Sequence, residues 1–175
     1  MGYVGWETAQ RSKAMGTDIL YYDHKPLPEQ KEMELGARFT GLEELLSKSD
    51  IVSLHVPLVP GTRHLINRQR LQSMKPNAVL INVARGGVVD EAALYEALVA
   101  GEIKGAGLDV WEQEPVPADH PLLQLEQVIA TPHIGGGTRD TLIHVYTQAF
   151  ANIERVARGL EPMYAGNNYQ HITAG

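Results

Sequence analysis

Three short stretches gather side chains that could do chemistry: Asn82-Val83-Ala84-Arg85-Gly86-Gly87, Gly107-Leu108-Asp109-Val110-Trp111-Glu112-Gln113-Glu114-Pro115, and Thr131-Pro132-His133-Ile134-Gly135-Gly136. Each follows or begins in an apolar run and ends in polar residues, as strands of open α/β sheets do where they present ligand-binding groups at their C-terminal ends. Together they offer an arginine, several carboxylates and a histidine. A guanidinium binds a carboxylate through two parallel hydrogen bonds. An imidazolium can protonate a carbonyl oxygen while a hydride reaches its carbon. A carboxylate beside the imidazole fixes its tautomer and favours its charged form. The set suits reduction of a 2-oxo acid, with Glu112 and Glu114 competing for the carboxylate role.

Hydride chemistry needs a carrier, and the start of the chain supplies a place for one. Gly2-Tyr3-Val4-Gly5 looks like the second half of G-x-G-x-x-G. In that fingerprint the second glycine lets backbone approach a pyrophosphate, and the third lets the helix pack closely on the sheet. The amides around Tyr3 and Val4 would then face phosphates at a helix N-terminus. Asp23 ends the next apolar run, 18 residues after Gly5, where a carboxylate can take both ribose hydroxyls and repel a 2′-phosphate. The expected cofactor is therefore NAD rather than NADP. The first glycine of the fingerprint and the strand before it are not in this sequence, so an N-terminally truncated domain is expected.

The elements that must hold these residues follow from periodicity and breakers. A helix is expected from Gly5 to Met15, closed by Gly16, then a strand over 19–22. A short helix over 29–35 stops at Gly36, and 38–39 reads as a brief strand. Thr40-Gly41-Leu42-Glu43 has capping-box spacing and starts a helix to Ser47. Strands are expected over 51–56, 78–82, 107–110 and 128–130, with a short helix over 67–74 and another capped by Asp90 and closed by Gly101. The last helix, about 139–158, carries Leu142, Val145, Tyr146, Ala149, Phe150, Ile153 and Val156 on one face. Alternating strands and helices imply an α/β fold, a Rossmann-type doubly wound parallel sheet with its first strand missing.

Composition sets outer limits. The formal charge of −6 argues against a nucleic-acid surface, which needs clustered Lys and Arg. The absence of cysteine excludes disulfides, thiolate metal sites and cysteine nucleophiles, and suits the cytoplasm. Apolar runs such as 78–81 fall far short of the roughly 20 residues that cross a bilayer. No metal site, nucleic-acid partner or membrane partner is expected.

Five motifs in one order carry a resemblance. They are Leu54-His55-Val56-Pro57-Leu58, Met74-Lys75-Pro76, the Asn82-x-Ala84-Arg85-Gly86-Gly87 stretch with Val88-Val89-Asp90, Leu108-Asp109-Val110 with Glu114-Pro115, and Thr131-Pro132-His133-Ile134-Gly135-Gly136. Residues 1 to about 160 resemble the nucleotide-binding domain of the D-2-hydroxyacid dehydrogenases, the family of phosphoglycerate dehydrogenases and glyoxylate/hydroxypyruvate reductases. The resemblance implies that Arg85 binds the substrate carboxylate, His133 is the acid/base and Glu114, directly before Pro115, is its partner. It also implies cofactor contacts from Gly2, Tyr3, Val4, Gly5, Asp23, Val83, Ala84, Arg85, Asp109, His133, Ile134, Gly135 and Gly136, with Thr62 a further contact. A Glu-His pair argues against the related formate dehydrogenases, which pair the histidine with glutamine. His24, His64, His120, His144 and His171 are expected to be surface or packing residues, and His55, at a strand end near the adenosine side, either to serve that side or simply to pack. The resemblance further implies a homodimer acting on a small 2-oxo or 2-hydroxy acid, with residues 161–175 returning to a substrate domain. Two other readings fit the same residues: an NAD-sensing scaffold of the corepressor type, and an inactive truncated gene product.

Overall fold

The computed structural model describes residues 1–163. The chain divides into two units, Met1–His133 and a second beginning at Ile134. Every expected helix and strand of the first unit is present, α2 and β6 with the expected ends and the others with shifted ones: α1 Tyr3–Ala14, β1 Ile19–Tyr21, α2 Glu29–Leu35, β2 Ala37–Phe39, α3 Leu42–Lys48, β3 Ile51–Leu54, α4 Arg68–Ser73, β4 Val79–Asn82, α5 Glu91–Val99, β5 Gly105–Leu108 and β6 Val128–Ala130. Single 3₁₀ turns at Gly86–Val88 and Pro121–Gln124 were not expected.

Side chains at the boundaries explain where the helices begin. Asp90 accepts from the Ala93 N–H at 3.0 Å and Asn67 from the Arg70 N–H at 3.1 Å, each satisfying a donor that the helix leaves open. Gly36 and Gly101 end α2 and α5 in left-handed conformations, at φ 65° and 67°. The capping box expected at Thr40 does not form. Gly41 is the N-cap of α3, and the Thr40 hydroxyl donates instead to the Glu44 carboxylate at 2.6 Å. The start of the helix one residue late puts Glu44, not Glu43, within reach.

All pairings are parallel. β3, β4, β5 and β6 form a four-stranded sheet in that order, and β1 pairs with β2 separately. Among the described residues no strand joins the two sheets, which agrees with a doubly wound parallel sheet read without its first strand. In the larger sheet Leu54, Asn82, Leu108 and Ala130 share one register row. The strand ends therefore lie level, and the loops that follow them leave from one edge.

One face of the larger sheet makes the core. Val52, Leu54, Leu80, Ala106 and Leu108 pack with Leu46, Leu71, Leu94, Ala97 and Leu98 of the crossover helices. On the other face Ile51 and Ile129 remain 65% and 76% exposed. A smaller cluster of Ala9, Tyr21, Leu35 and Ala37 holds α1 and α2 to the β1–β2 pair.

β5 begins two residues before the expected strand. A Cβ at Gly105 would meet the Gln127 carbonyl oxygen at 2.8 Å, and one at Gly107 would meet Ile81 Cδ1 at 3.0 Å. Crowding by the neighbouring chain selects glycine here.

The second unit contains α6, Arg139–Ala157, capped by the Thr138 hydroxyl on the Thr141 N–H at 3.2 Å. The Asn152 side chain bonds the Met163 backbone twice, at 2.7 and 2.9 Å, and Arg155 Nε donates to the Glu161 carbonyl. The tail expected over 161–175 falls outside the described residues from 164 onward, as does His171. Among the described residues no helix is long and apolar enough to cross a membrane, and no cluster of ligands could hold a metal ion.

Removing a buried leucine from α5 tests the core. Leu94 is fully buried and Val99, on the same helix, is 60% exposed. Leu94→Ala is expected to lower the unfolding free energy by about 2–5 kcal/mol, and Val99→Ala to change it by about 0.5 kcal/mol or less. Chemical denaturation of both variants measures the contrast.

Candidate active site

The edge of the larger sheet delivers three loops. After β4, the buried Asn82 folds its side chain back onto its own loop: Nδ2 donates to the Arg85 carbonyl at 2.9 Å, and Oδ1 accepts from the Ala84 N–H at 3.2 Å. That closed turn fixes the backbone of Val83, Ala84 and Arg85, and leaves the Arg85 side chain exposed, with Nη1 on the Ala84 carbonyl at 2.6 Å. After β5, Asp109 is buried and takes a hydrogen bond from the Thr131 hydroxyl at 2.5 Å, tying this loop to the one after β6. The Trp111 indole N–H donates to the Thr131 carbonyl at 3.0 Å and makes a second tie.

Those ties bring Glu114 to His133. Glu114 Oε2 lies 2.8 Å from His133 Nδ1, and Oε1 accepts the Trp111 N–H at 3.0 Å. The His133 imidazole and, next, the Trp111 N–H hold the Glu114 carboxyl below the usual carboxylate range, and the nearby Arg85 guanidinium adds to this. Glu112, the competing carboxylate, turns away to His64 Nε2 at 3.0 Å. His133 has a left-handed backbone, φ 57°, which a residue with a side chain rarely adopts.

Arg85, Glu114 and His133 line one cavity of about 390 Å³ with Leu58, Arg63, Gly86, Gly87, Trp111 and Glu112. Sequence reasoning did not single out Leu58, Arg63 or Trp111 as pocket residues. Arg63 reaches the pocket by lying across Gly87, where a Cβ would sit 3.5 Å from its Nη1. Its own neighbours in sequence carry no signal of this. His64 and His120, expected to be ordinary surface or packing residues, are instead partners of Glu112 and Glu91.

A second locus lies at the N-terminus of α1. Gly2 is the N-cap with no side-chain capping bond, so the first-turn amides, those of Tyr3 and Val4 among them, have no capping acceptor. Gly5 is buried, and a Cβ there would meet Met1 Cγ at 3.1 Å and His55 Cβ at 3.6 Å. An uncapped helix start and a glycine at the helix–strand contact fit a dinucleotide pyrophosphate. Asp23 follows β1; its Oδ2 lies 2.7 Å from the Met1 ammonium and its Oδ1 accepts from the His24 N–H. The ammonium is the main reason its carboxyl is held low. Burial pushes the His55 imidazole down, and its Nε2 meets Ser53 Oγ at 2.9 Å. Thr62 turns its hydroxyl into its own loop, onto the Pro57 carbonyl at 2.5 Å. Ile134, Gly135 and Gly136 belong to the second unit, where the Gly137 N–H donates to the Ile134 carbonyl at 2.8 Å.

Comparison with known proteins places this arrangement. The family model for the D-isomer specific 2-hydroxyacid dehydrogenase NAD binding domain matches residues 1–135. The chain is 47% identical over 162 residues to a glyoxylate reductase of Korarchaeum cryptofilum, covering 93% of this chain and 48% of that protein. It is 43% identical over 160 residues to a D-3-phosphoglycerate dehydrogenase of Methanocaldococcus jannaschii, covering 91% of this chain and 30% of that one. Among solved structures, D-lactate dehydrogenase with NAD+ from Lactobacillus jensenii superposes with a TM-score of 0.86 at 34% identity, over 93% of this chain and 52% of that chain. The chain thus spans about half, or less, of the length of these relatives.

The two glycines after Arg85 should respond differently to a methyl group. At Gly86 a Cβ would lie 1.9 Å from the Trp111 carbonyl carbon, so backbone must move; at Gly87 the nearest atoms, at 3.3 and 3.4 Å, are the mobile tips of Leu58. Gly86→Ala is expected to cost about 1–3 kcal/mol or more and Gly87→Ala much less. Thermal unfolding of the pair reads this difference.

Proposed function

The chain belongs to the D-isomer specific 2-hydroxyacid dehydrogenase family by its NAD binding domain, and from that membership we propose that the protein reduces a small 2-oxo acid to its D-2-hydroxy acid with NADH, reversibly. The observation that carries the reading is the 2.8 Å contact of His133 with Glu114 on the wall of a cavity that Arg85 also lines.

In this reading the Arg85 guanidinium binds the substrate carboxylate with two parallel hydrogen bonds and draws charge from the adjacent carbonyl. Glu114 holds His133 Nδ1, which leaves Nε2 to carry the proton aimed at the carbonyl oxygen. Bound NADH supplies the hydride. His133 gives its proton to the oxygen as the carbonyl carbon gains hydrogen and the electron pair, and the hydroxy acid leaves once its carboxylate parts from Arg85. Gly2, Tyr3, Val4 and Gly5 hold the pyrophosphate in this proposal, and Asp23 takes the ribose diol. Val83, Ala84 and Asp109 are the proposed contacts of the nicotinamide. The proposal extends to domain limits of 1–160 and 161–175 and to a cytoplasmic homodimer; a chain without cysteine suits that compartment.

Four variants of the full-length protein test the roles. Arg85→Ala should raise KM and lower kcat together, and Arg85→Lys should recover only part, because an ammonium does not reproduce the paired bonds. His133→Asn should lose about 10²–10⁴-fold in kcat while NADH still binds. Glu114→Gln removes the negative charge that favours imidazolium, the form that reduction requires. The alkaline limb of kcat/KM for reduction should therefore move to lower pH; an unmoved limb, or one shifted upward, removes Glu114 from this role.

Cofactor choice is tested separately. Asp23 beside a 2′-phosphate is a like-charge contact worth on the order of several kcal/mol, so fluorescence titration should give markedly tighter binding of NADH than of NADPH. Equal affinities would count against Asp23 as the ribose ligand.

A further inference from the structure

Behind the loop that carries Glu114 lies a second set of contacts which the proposed reaction does not use. Glu91 opens α5, one residue after its cap. Its Oε1 accepts from the Glu112 backbone N–H at 2.6 Å, and its Oε2 lies 3.2 Å from His120 Nε2. Both side chains are largely enclosed, Glu91 12% and His120 20% exposed. The His120 ring stands edge-on to Trp111, with centroids 5.4 Å apart. Glu112 directs its own carboxylate at His64 and, at 3.5 Å, back at the Glu91 N–H.

The Trp111–Glu112 peptide also touches Gly86, where a Cβ would fall 2.1 Å from the Trp111 carbonyl oxygen and 2.4 Å from the Glu112 nitrogen. One peptide is thus gripped by a glycine next to Arg85 and by a carboxylate of α5. The residue that begins this peptide, Trp111, donates its own N–H to Glu114, and Glu114 holds His133. Burial pushes the Glu91 carboxyl up, so the side chain is held there against a desolvation cost. A charge-assisted bond to a backbone N–H is among the stronger ones available to offset it.

We propose that Glu91 is a positioning residue: by holding the Glu112 N–H it sets the loop from Trp111 to Pro115 so that Glu114 meets His133 beside Arg85. What matters in this role is an acceptor oxygen at the right reach, not the charge. Glu91→Gln keeps that oxygen, and its amide can donate to His120. Glu91→Asp keeps the charge, which suits a helix N-terminus, but draws the oxygen back by one methylene.

The two variants in the full-length protein distinguish this role from a merely electrostatic or stabilising one. ¹³C NMR titration of the Glu114 carboxyl should show it below the ordinary carboxylate range in the wild type and in Glu91→Gln, and moved upward in Glu91→Asp. If the protein reduces a 2-oxo acid as proposed above, on which the activity arm alone rests, kcat should fall up to about 10²-fold in Glu91→Asp with the NADH dissociation constant unchanged, and stay near wild type in Glu91→Gln. A Glu114 titration unmoved in Glu91→Asp, or the opposite order of the two variants in either readout, overturns the proposal. A wild type that turns over no 2-oxo acid overturns the reaction instead, and the carboxyl titration still decides the role of Glu91.

Discussion

The contact on which the site depends is the one between Gly86 and the Trp111–Glu112 peptide. Two loops from adjacent parallel strands must approach closely enough that no side-chain carbon fits between them. Approach of this kind costs backbone entropy at the glycine, and it is held by bonds on both sides. Asn82 closes the first loop onto itself. Thr131 anchors the second through Asp109 and the Trp111 indole. The exposed guanidinium, carboxylate and imidazole are mobile groups in principle, but part-buried polar bonds hold the loops from which they leave.

Among the described residues, the non-glycine residues with left-handed backbone are His64 and His133. Each faces one of the two carboxylates of the same loop: His64 meets Glu112 and His133 meets Glu114. Such backbone costs of order 1–3 kcal/mol and persists where surrounding contacts over-determine it. The pairing divides the carboxylates. Glu112 is committed to His64 and Glu114 to His133, although both line the cavity and only two positions separate them in the sequence.

Much of the scaffold was legible in the amino-acid pattern because caps and apolar periodicity act locally. Asp90 and Asn67 cap the helices they precede for reasons contained within four residues. The start of β5 was placed two residues late because its glycines answer to Gln127, just before β6, and to Ile81 of β4, and a partner's proximity leaves no mark on the local composition. Thr40 misled for a related reason: two glutamates follow it at neighbouring positions, and the start of α3 at Leu42 puts Glu44 within reach. In the site, Arg85, Glu114 and His133 stood out through their motifs. Arg63, Glu91 and His120 did not, since each draws its significance from a residue brought near only by the folded sheet.

The level strand ends have a consequence for how the protein acquires its site. Arg85 and His133 are 48 positions apart, and every pairing between their strands is parallel and reached by a crossover. No local hairpin can bring them together early. Closing such separations is entropically costly before any contact rewards it, which makes parallel pairing slow relative to helix formation. The order of events during folding therefore sets helices first and the cavity last. A chain caught partway would carry native-like helices and no assembled trio, so the appearance of the Glu114–His133 contact marks completion of this sheet more faithfully than helical content does.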